Sequence, residues 1–311
     1  MNINEILKDI KSDRVKKVII DSDAACELDD QYALAYSFAC KSFEILSLNA
    51  APMGVTVLGK DFDIGVAMCY HEILHICDVC GVTGKYPVYM GSKESITDTP
   101  DHGPVDSPAA RNIIKTALES DELIYIFAMG AVTNISSAIM MEPAIKDKIC
   151  VIFLGGHSIE HGTYAEYNWK QDEFAGRYLF DCGTNIVQLP AKGGTAEMRL
   201  KLPFIKKYIT GDSKACKFFR EEHPSHFAGY AASEPDGEFM GDNWVRGICD
   251  IAAPALFEIP ECFDLTLIPI PDCDENGKYV FYETRPWEIY MKRILDHDAV
   301  MRDALEKINT L

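Results

Sequence analysis

The sequence lacks any long apolar run. Its 311 residues include no uninterrupted stretch of about 18 apolar residues, the length that a membrane-spanning helix requires. The opening segment, MNINEILKDIKSDRVKK, is too charged and interrupted to supply the apolar region of a secretory signal peptide. We therefore expect a cytoplasmic protein without a membrane partner.

Positive charge is also scarce. The chain has 30 Lys and Arg residues against 48 Asp and Glu residues, for a formal net charge of −18. This charge repels phosphate backbones and argues against polymeric nucleic acid as a partner. The 11 cysteines are odd in number and scattered through apolar segments, which favours reduced thiols over a disulfide framework. A small neutral or cationic ligand fits this composition better.

Short apolar segments alternate with amphipathic ones along the chain. The strand-like segments are 17–20, 44–49, 86–90, 123–129, 150–154 and 186–189. The helical patterns are 30–41, 64–79, 108–119 and 173–182. This alternation predicts an α/β fold with a mainly parallel sheet and helices on both faces. We interpret residues 1–311 as a single open, Rossmann-like domain.

Three later segments depart from this alternation. Residues 211–246 are rich in Gly, Ser, His and aromatic side chains, and they predict an irregular active-site loop or cap. Residues 265–283 predict a C-terminal edge hairpin around the sequence DENGK. Residues 286–311 predict a closing helix.

An acidic segment follows the first predicted strand. Within VIIDSDAACELDDQYAL, at 18–34, five acids lie within ten positions: Asp21, Asp23, Glu27, Asp29 and Asp30. Open α/β sheets bind ligands beyond the carboxyl ends of their strands, where this segment places its carboxylates. Like charges this close are costly unless a cation offsets them, and an oxygen-only set selects Ca²⁺ or Mg²⁺. Helix capping is the alternative for Asp29 or Glu27 taken singly.

A second possible metal motif lies at 71–75. The sequence HEILH has the H-E-x-x-H spacing, which places two imidazoles on one helix face for zinc. Zinc proteases need a third ligand, and no known extension of the motif follows in ICDVCGVTG. Cys77 and Cys80 lack a second CxxC partner. We therefore interpret this helix as a packing element between strands.

Four short motifs occur in order, each after a predicted strand or at the start of a predicted helix. The first is DSD at 21–23 with DD at 29–30, and the second is GAVTN at 130–134. The third is GG at 155–156 with EYN at 166–168 and DE at 172–173, and the fourth is DIA at 250–252. Together they resemble the calcium-dependent nucleoside hydrolases. That family has Asp-x-Asp with Asp-Asp, Gly-Pro-Leu-Thr-Asn, Gly-Gly with Glu-Phe-Asn and Asp-Pro-Glu, and His-Asp-Pro. The agreement runs from about residue 17 to residue 256, although the loop AACEL is two residues longer than in the best-known members.

The resemblance implies a reaction and a set of site residues. The reaction is hydrolysis of the N-glycosidic bond of a ribonucleoside in purine and pyrimidine salvage, by a homodimer or homotetramer. The implied Ca²⁺ ligands are Asp23, Asp30, Asp250 and the main-chain carbonyl of Thr133. Asp23 would also take a proton from the metal-bound water. The implied partners of the sugar hydroxyls are Asp29, Glu166 and Asn168.

The sequence departs from the family's pattern near the expected leaving group. Cys249 precedes the late Asp, where inosine-uridine-preferring members often have a His that assists the departing base. The Asn expected just after the second strand is absent, and only Asn49, a few residues earlier, could substitute for it. A second Asn, expected shortly before the EYN motif, is also absent, and SIEH at 158–161 takes its place. Candidates for the leaving-group acid are His157, His161, His223, His226 and Tyr230. Candidates for stacking on a base are Phe227, Tyr230, Phe239 and Trp244.

Two other functions remain open from the sequence. One is a nucleoside- or ribose-binding protein of the same fold that has lost turnover. The other is a Mg²⁺-dependent phosphatase of the haloacid-dehalogenase type, with Asp21 as nucleophile and Asp23 as acid. The second also needs a later Ser or Thr, a Lys and a second acidic pair, and the pair at 29–30 lies too early in the chain for that role.

Overall fold

The computed structural model of the chain describes residues 1–54, 61–226 and 244–311. The described strands are β1 (Lys16–Ser22), β2 (Phe43–Ala50), β3 (Val88–Tyr89), β4 (Ile124–Met129), β5 (Ile149–Leu154), β6 (Asn185–Leu189), β7 (Arg199–Lys201), β8 (Val245–Gly247), β9 (Phe263–Pro269), β10 (Asp272–Cys273), β11 (Tyr279–Val280) and β12 (Trp287–Ile294). The described α-helices are α1 (Ile3–Ile10), α2 (Asp29–Ala39), α3 (Phe62–Val79), α4 (Pro108–Glu119), α5 (Thr133–Met141), α6 (Tyr167–Gln171), α7 (Glu173–Asp181), α8 (Leu202–Tyr208), α9 (Lys214–Lys217), α10 (His223–His226), α11 (Ala252–Glu258) and α12 (His297–Ile308).

Eight of these strands form the central sheet, in the order β3-β2-β1-β4-β5-β6-β12-β9. Neighbouring strands are parallel except for β9, which pairs antiparallel with β12. This confirms the predicted open, mainly parallel sheet. The strand order reverses between β1 and β4, and ligands of such sheets bind at the carboxyl ends of the strands at this point.

Both faces of the sheet are covered, as the continuous apolar strands predict. On β4, Tyr125 and Phe127 pack into a core that includes residues of α1, α2, α3, α11 and α12. The alternate residues Ile124 and Ile126 pack on the other face, with residues of α4, α5 and α7. Side chains alternate between the faces of a strand, so that one buried strand contributes to both cores. The helices on both faces are therefore confirmed.

Two of the three atypical segments differ from the sequence interpretation. The prediction of a helix over 286–311 is wrong in its first half, where β12 inserts between β6 and β9, and α12 follows. The strands β10 and β11 form the hairpin around 274–278, but they are not the edge of the central sheet. The edge strand is β9, which pairs with β12. Residues 227–243 of the predicted cap lie outside the described residues. None of the helices in the described ranges has the length and hydropathy needed to cross a membrane.

Candidate active site

The candidate site is a cavity at the carboxyl ends of β1, β4, β5 and β6, beside the reversal of strand order. The described side chains that line it include six acids and no Lys, Arg or His. The acids are Asp23, Glu27, Asp29, Asp30, Glu166 and Asp250. The described lining of the cavity is therefore strongly acidic.

Three of these acids form a compact group, called here the acidic cluster: Asp29, Asp30 and Asp250. One carboxylate oxygen from each lies within 4.8 Å of the others, and all three side chains are buried. Asp29 and Asp30 occupy the first turn of α2, where the helix dipole favours negative charge. Burial, followed by mutual repulsion, raises the pKa of Asp30 and of Asp250 well above the usual range. A divalent cation would relieve this repulsion.

Hydrogen bonds fix the acidic cluster from two sides. Ser22, the last residue of β1, donates its hydroxyl to Asp30 Oδ1 at 2.5 Å. The main-chain N–H groups of Cys249 and Asp250 donate to Asp29 Oδ2 at 2.9 and 3.4 Å. The chain just before α11 is thus attached to the first turn of α2. This contact joins acids that lie 221 positions apart in the sequence.

Asp23 lies directly after β1 and is also buried. Its Oδ2 atom has no hydrogen-bond partner. Burial raises its pKa well above the usual range, and repulsion from Asp30 and Asp29 raises it further. Gly130 packs closely against this side chain, since a Cβ there would lie 2.9 Å from Asp23 Cγ. The chain therefore holds a buried carboxylate oxygen beside the acidic cluster without giving it a donor.

Asp21 has a different role from Asp23. It is buried opposite Asn49 of β2, and the Asn134 amide donates to its Oδ2 at 3.1 Å. The same amide donates to the Ala50 carbonyl at 3.0 Å. Burial raises the pKa of Asp21 to about 7. Asp21 is not among the described lining residues of the cavity, which removes the nucleophile that the phosphatase alternative needs.

The implied main-chain ligand, Thr133, lies at the start of α5. Its hydroxyl donates to Asp172 Oδ2 at 2.8 Å, and Thr133 is not among the described residues that line the cavity. Met129, the last residue of β4, does line it. Asp172 also accepts from the Ile96 N–H at 2.7 Å, so that the DE motif fixes the surrounding loops.

Glu166 and Asn168 line the cavity, as the resemblance implies. Glu166 is the N-cap of α6, and its carboxylate accepts from the N–H groups of Asn168 at 2.9 Å and Gly156 at 3.2 Å. Burial raises its pKa to about 7 despite these hydrogen bonds. The Asn168 amide donates to the Leu154 carbonyl at 2.9 Å. Both side chains are thus held in fixed orientations at the cavity wall.

The candidates for a leaving-group acid are not found in the described lining. His157 and His161 lie in the loop after β5, where burial lowers the pKa of His157 to about 4. His223 packs among the rings of Tyr32, Phe218 and Phe219. The side chain of His226 lies outside the described residues, and so do Tyr230, Phe227 and Phe239. Trp244 is described and is buried, and it lies outside the cavity lining.

Cys249 does line the cavity, and Asn49 does not. The Cys249 thiol forms a hydrogen bond with Thr195, and burial raises its pKa well above the usual range. Asn49 of β2 accepts a hydrogen bond from the side-chain amide of Asn112 of α4 at 3.3 Å. The described cavity lining therefore does not support the sugar contact considered for Asn49 from the sequence.

A contact between Cys26 and Tyr167 was missed from the sequence. Cys26 lies in the loop between β1 and α2, and its Sγ is 2.8 Å from the Tyr167 hydroxyl. Both residues line the cavity. The available signals were the longer loop AACEL and the Tyr in EYN, where the family has Phe, but neither identifies its partner in the fold.

The HEILH sequence behaves as a packing element. It lies in α3, with His71 and His75 exposed and Ile73 buried. His75 packs against Phe218, with ring centroids 5.4 Å apart. The acidic cluster is the only candidate metal-binding group of three or more ligands found among the described residues, so the interpretation against zinc chemistry stands.

Comparisons with known proteins agree with this geometry. Residues 18–286 match the family model of inosine-uridine preferring nucleoside hydrolases. Pyrimidine-specific ribonucleoside hydrolase RihB of Escherichia coli O157:H7 is 27% identical over 197 residues, which cover 56% of this chain and 59% of that protein. The match thus spans less than two thirds of the relative's length.

Solved structures with the same fold cover almost the whole chain. A plant nucleoside hydrolase, PpNRh1, superimposes with a TM-score of 0.74 at 19% identity, covering 95% of this chain and 99% of its own. A purine-preferring ribonucleoside hydrolase from Gardnerella vaginalis gives a TM-score of 0.71 at 21% identity, with 95% and 98% coverage. These likenesses establish the fold. Because the family match extends over most of the sequence, the chain belongs to the inosine-uridine preferring nucleoside hydrolase family.

Proposed function

We propose that this protein hydrolyses the N-glycosidic bond of ribonucleosides to free base and ribose. The observation that carries the proposal is the Asp23 Oδ2 atom, a buried acceptor without a donor beside the acidic cluster. Leaving such an acceptor unpaired is costly, which is typical of a position that a ligand completes. Membership of the family and the name of the curated relative support the same reaction.

The donor set fits a hard divalent cation. It consists of carboxylate oxygens from four buried acids, Asp23 and the acidic cluster, and Ca²⁺ prefers six to eight oxygen ligands in flexible arrangements. We propose Asp23, Asp30 and Asp250 as ligands, together with a main-chain carbonyl. Thr133 is the sequence-based candidate for that carbonyl, and the cavity lining favours Met129. Bound Ca²⁺ would supply Lewis-acid polarisation of water and of sugar hydroxyls.

The chain's own groups then have complementary tasks. Asp23 accepts the proton of the attacking water as the water oxygen bonds to the anomeric carbon. The sugar hydroxyls form hydrogen bonds with Asp29, Glu166 and Asn168, whose orientations are already fixed. The electron pair of the C–N bond leaves with the base, and positive charge develops on the sugar. The surrounding carboxylates stabilise that charge through preorganised electrostatics.

The test is release of reducing sugar from a panel of purine and pyrimidine ribonucleosides. The purified protein is assayed as isolated, after calcium chelation, after calcium is restored, and as Asp23→Asn. Loss of a general base removes about 10²- to 10⁴-fold of the rate, so that Asp23→Asn should lower kcat by that factor. Chelation should abolish release, and calcium should restore it.

The matched control is His71→Ala, which removes an exposed imidazole of the HEILH sequence and should leave the rate unchanged. A rate that depends on His71 and is restored by zinc alone would contradict the proposal. Binding of ribose or nucleoside without any release would instead favour the non-catalytic binding protein.

Assembly and cellular role remain predictions. We propose a homodimer or homotetramer, since the described surface exposes the large apolar side chains Phe281, Tyr282 and Trp287 within seven positions. Light scattering coupled to size-exclusion chromatography measures the subunit number. We also propose a cytoplasmic role in purine and pyrimidine salvage, because the chain belongs to the nucleoside hydrolase family.

A further inference from the structure

We propose that Tyr279 of the β10–β11 hairpin, together with Gln188 of β6, is a positioning residue that holds Glu166 for its contact with a sugar hydroxyl. Tyr279 and Gln188 are not among the described residues that line the cavity, so they act through the loop that follows β5. The inference rests on the proposed function and deepens it, because it assigns control of sugar recognition to residues outside the four sequence motifs.

Glu166 accepts hydrogen bonds from two directions. The N–H groups of Asn168 and Trp169, in the first turn of α6, donate to its carboxylate at 2.9 and 3.4 Å. These bonds fix the carboxylate relative to its own helix. The N–H of Gly156, in the loop after β5, donates to Glu166 Oε2 at 3.2 Å and fixes it relative to the sheet. Because the acidic cluster is anchored to β1 of the same sheet, this bond helps to set the position of Glu166 relative to the cluster.

Gln188 and Tyr279 hold the main chain of this loop. The Gln188 amide donates to the Gly155 carbonyl at 3.0 Å and to the Tyr279 hydroxyl at 3.3 Å. The Tyr279 hydroxyl in turn donates to the His157 carbonyl at 2.6 Å. The two side chains therefore bond the main chain on both sides of Gly156.

Gly156 packs against these two side chains without space for a Cβ. Its φ is +71°, in the left-handed region that favours glycine. A Cβ at this position would lie 2.6 Å from Gln188 Nε2 and 2.7 Å from Tyr279 Oη. The two side chains thus contact Gly156 directly and restrain the direction of its N–H.

The hairpin is attached to the same loop at further points. The Tyr279 N–H donates to the Gly162 carbonyl at 3.0 Å, and the Tyr164 N–H donates to the Gly277 carbonyl at 2.9 Å. The rings of Tyr279 and Tyr164 pack edge to face, with centroids 4.2 Å apart. Tyr279→Phe would keep the ring and the main-chain contacts and remove only the bonds of the hydroxyl.

The test measures how strongly the protein distinguishes a ribonucleoside from an analogue that lacks one sugar hydroxyl. The substrate is the ribonucleoside of the panel that is hydrolysed fastest, and the analogues are its 2′-, 3′- and 5′-deoxy forms. The discrimination ratio is kcat/KM for the ribonucleoside divided by kcat/KM for the analogue. The analogue whose ratio falls in Glu166→Gln identifies the hydroxyl that Glu166 contacts.

Tyr279→Phe should lower this discrimination ratio about tenfold, which is the scale of one misdirected hydrogen bond. In the Glu166→Gln background, the same substitution should change the ratio less than about twofold, because the group that Tyr279 positions is already altered. Calcium affinity, measured by calorimetric titration, should be unchanged in Tyr279→Phe. The described hydrogen bonds of this hydroxyl go to Gln188 and His157, and not to the acidic cluster.

The matched control is Tyr290→Phe, which removes a second hydroxyl bonded to the same loop. The Tyr290 hydroxyl accepts from the Ile159 N–H at 3.0 Å, three residues beyond Gly156. This substitution should leave the discrimination ratio unchanged. Urea unfolding of both variants measures any general loss of stability.

A lower ratio in Tyr279→Phe that disappears in the Glu166→Gln background, with no change in Tyr290→Phe, supports the inference. It is overturned by an unchanged ratio in Tyr279→Phe, by an equal fall in both backgrounds or in Tyr290→Phe, or by a matching loss of calcium affinity. It is also overturned if Glu166→Gln changes none of the three ratios. Each of these results leaves nucleoside hydrolysis intact, whereas absence of release from every nucleoside overturns the proposed function, and this inference with it.

Discussion

Glu288 offers a direct test of the cost of burying an acid in this fold. It lies in β12, is fully buried, and neither of its carboxyl oxygens has a hydrogen-bond partner. Burial raises its pKa well above the ordinary value of 4.5, and attraction to Arg285 opposes the shift only in part. The folded protein therefore holds this group protonated at pH values where the unfolded chain ionises it.

The sign and the magnitude of the effect follow from proton linkage. Below the unfolded pKa both states are protonated, and the group imposes no pH-dependent penalty. As the pH rises from there to the folded pKa, the unfolded state releases a proton that the folded state keeps. The free energy of unfolding then falls by about 1.4 kcal/mol per pH unit.

Glu288→Gln removes this penalty, because the amide is neutral at every pH. Between pH 5 and pH 6, the free energy of unfolding of the variant should gain about 1.4 kcal/mol relative to the unmodified protein. Equilibrium urea unfolding at half-unit steps of pH measures the difference. Other titrating groups are common to both proteins and cancel in it.

The matched control is Glu283→Gln, which removes an exposed carboxyl five positions earlier and changes the net charge equally. Its unfolding curves should stay at a constant offset from those of the unmodified protein over this pH range. If Glu288→Gln also stays at a constant offset, the carboxyl is not held protonated in the folded state, and the reasoning from burial is refuted.

Two further substitutions test how the site is built. Gly130→Ala would place a Cβ 2.9 Å from Asp23 Cγ and from Ala51 Cβ. Because this packing orients a proposed metal ligand, the substitution should weaken calcium binding about tenfold, as measured by calorimetric titration. Unchanged affinity would contradict the close packing. Asn134→Leu removes the Asn134 amide that donates to buried Asp21, and it should cost roughly 3 kcal/mol in urea unfolding. An unchanged midpoint would show that this amide does not support β1.

Local signals made some elements predictable to the residue. Helix α4 was expected at 108–119 and is found at Pro108–Glu119, because Ser107 caps the Ala110 N–H and the proline suits the first helical position. The strand β12 has no such local signal. Its place between β6 and β9 depends on pairing with residues 187–188 and 263–269, and an apolar run alone does not distinguish that pairing from a closing helix.

The site was predictable in outline because the resemblance covers four separate motifs. Asp21 and Asp23 both lie where β1 ends, and the resemblance selects Asp23 as the metal ligand. The physical difference depends on a contact from another element, since the Asn134 amide donates to Asp21 while Asp23 Oδ2 has no hydrogen-bond partner. The position of Met129 in the cavity lining and the contact between Cys26 and Tyr167 depend on elements that meet only in three dimensions. Such contacts have no signature in a single sequence.

The placement of the acids links the stability of this protein to its proposed chemistry. Ser22 and the N–H groups of Cys249 and Asp250 stabilise the acidic cluster in part, while Asp23 Oδ2 receives no donor. Without a cation, the fold therefore carries unrelieved repulsion between buried carboxylates, and binding of calcium to the folded state alone would stabilise it by mass action. The same unrelieved negative charge favours positive charge on a bound sugar. A chain that neutralised these acids internally would fold at lower cost and lose that electrostatic stabilisation, so the repulsion is retained where the reaction needs it.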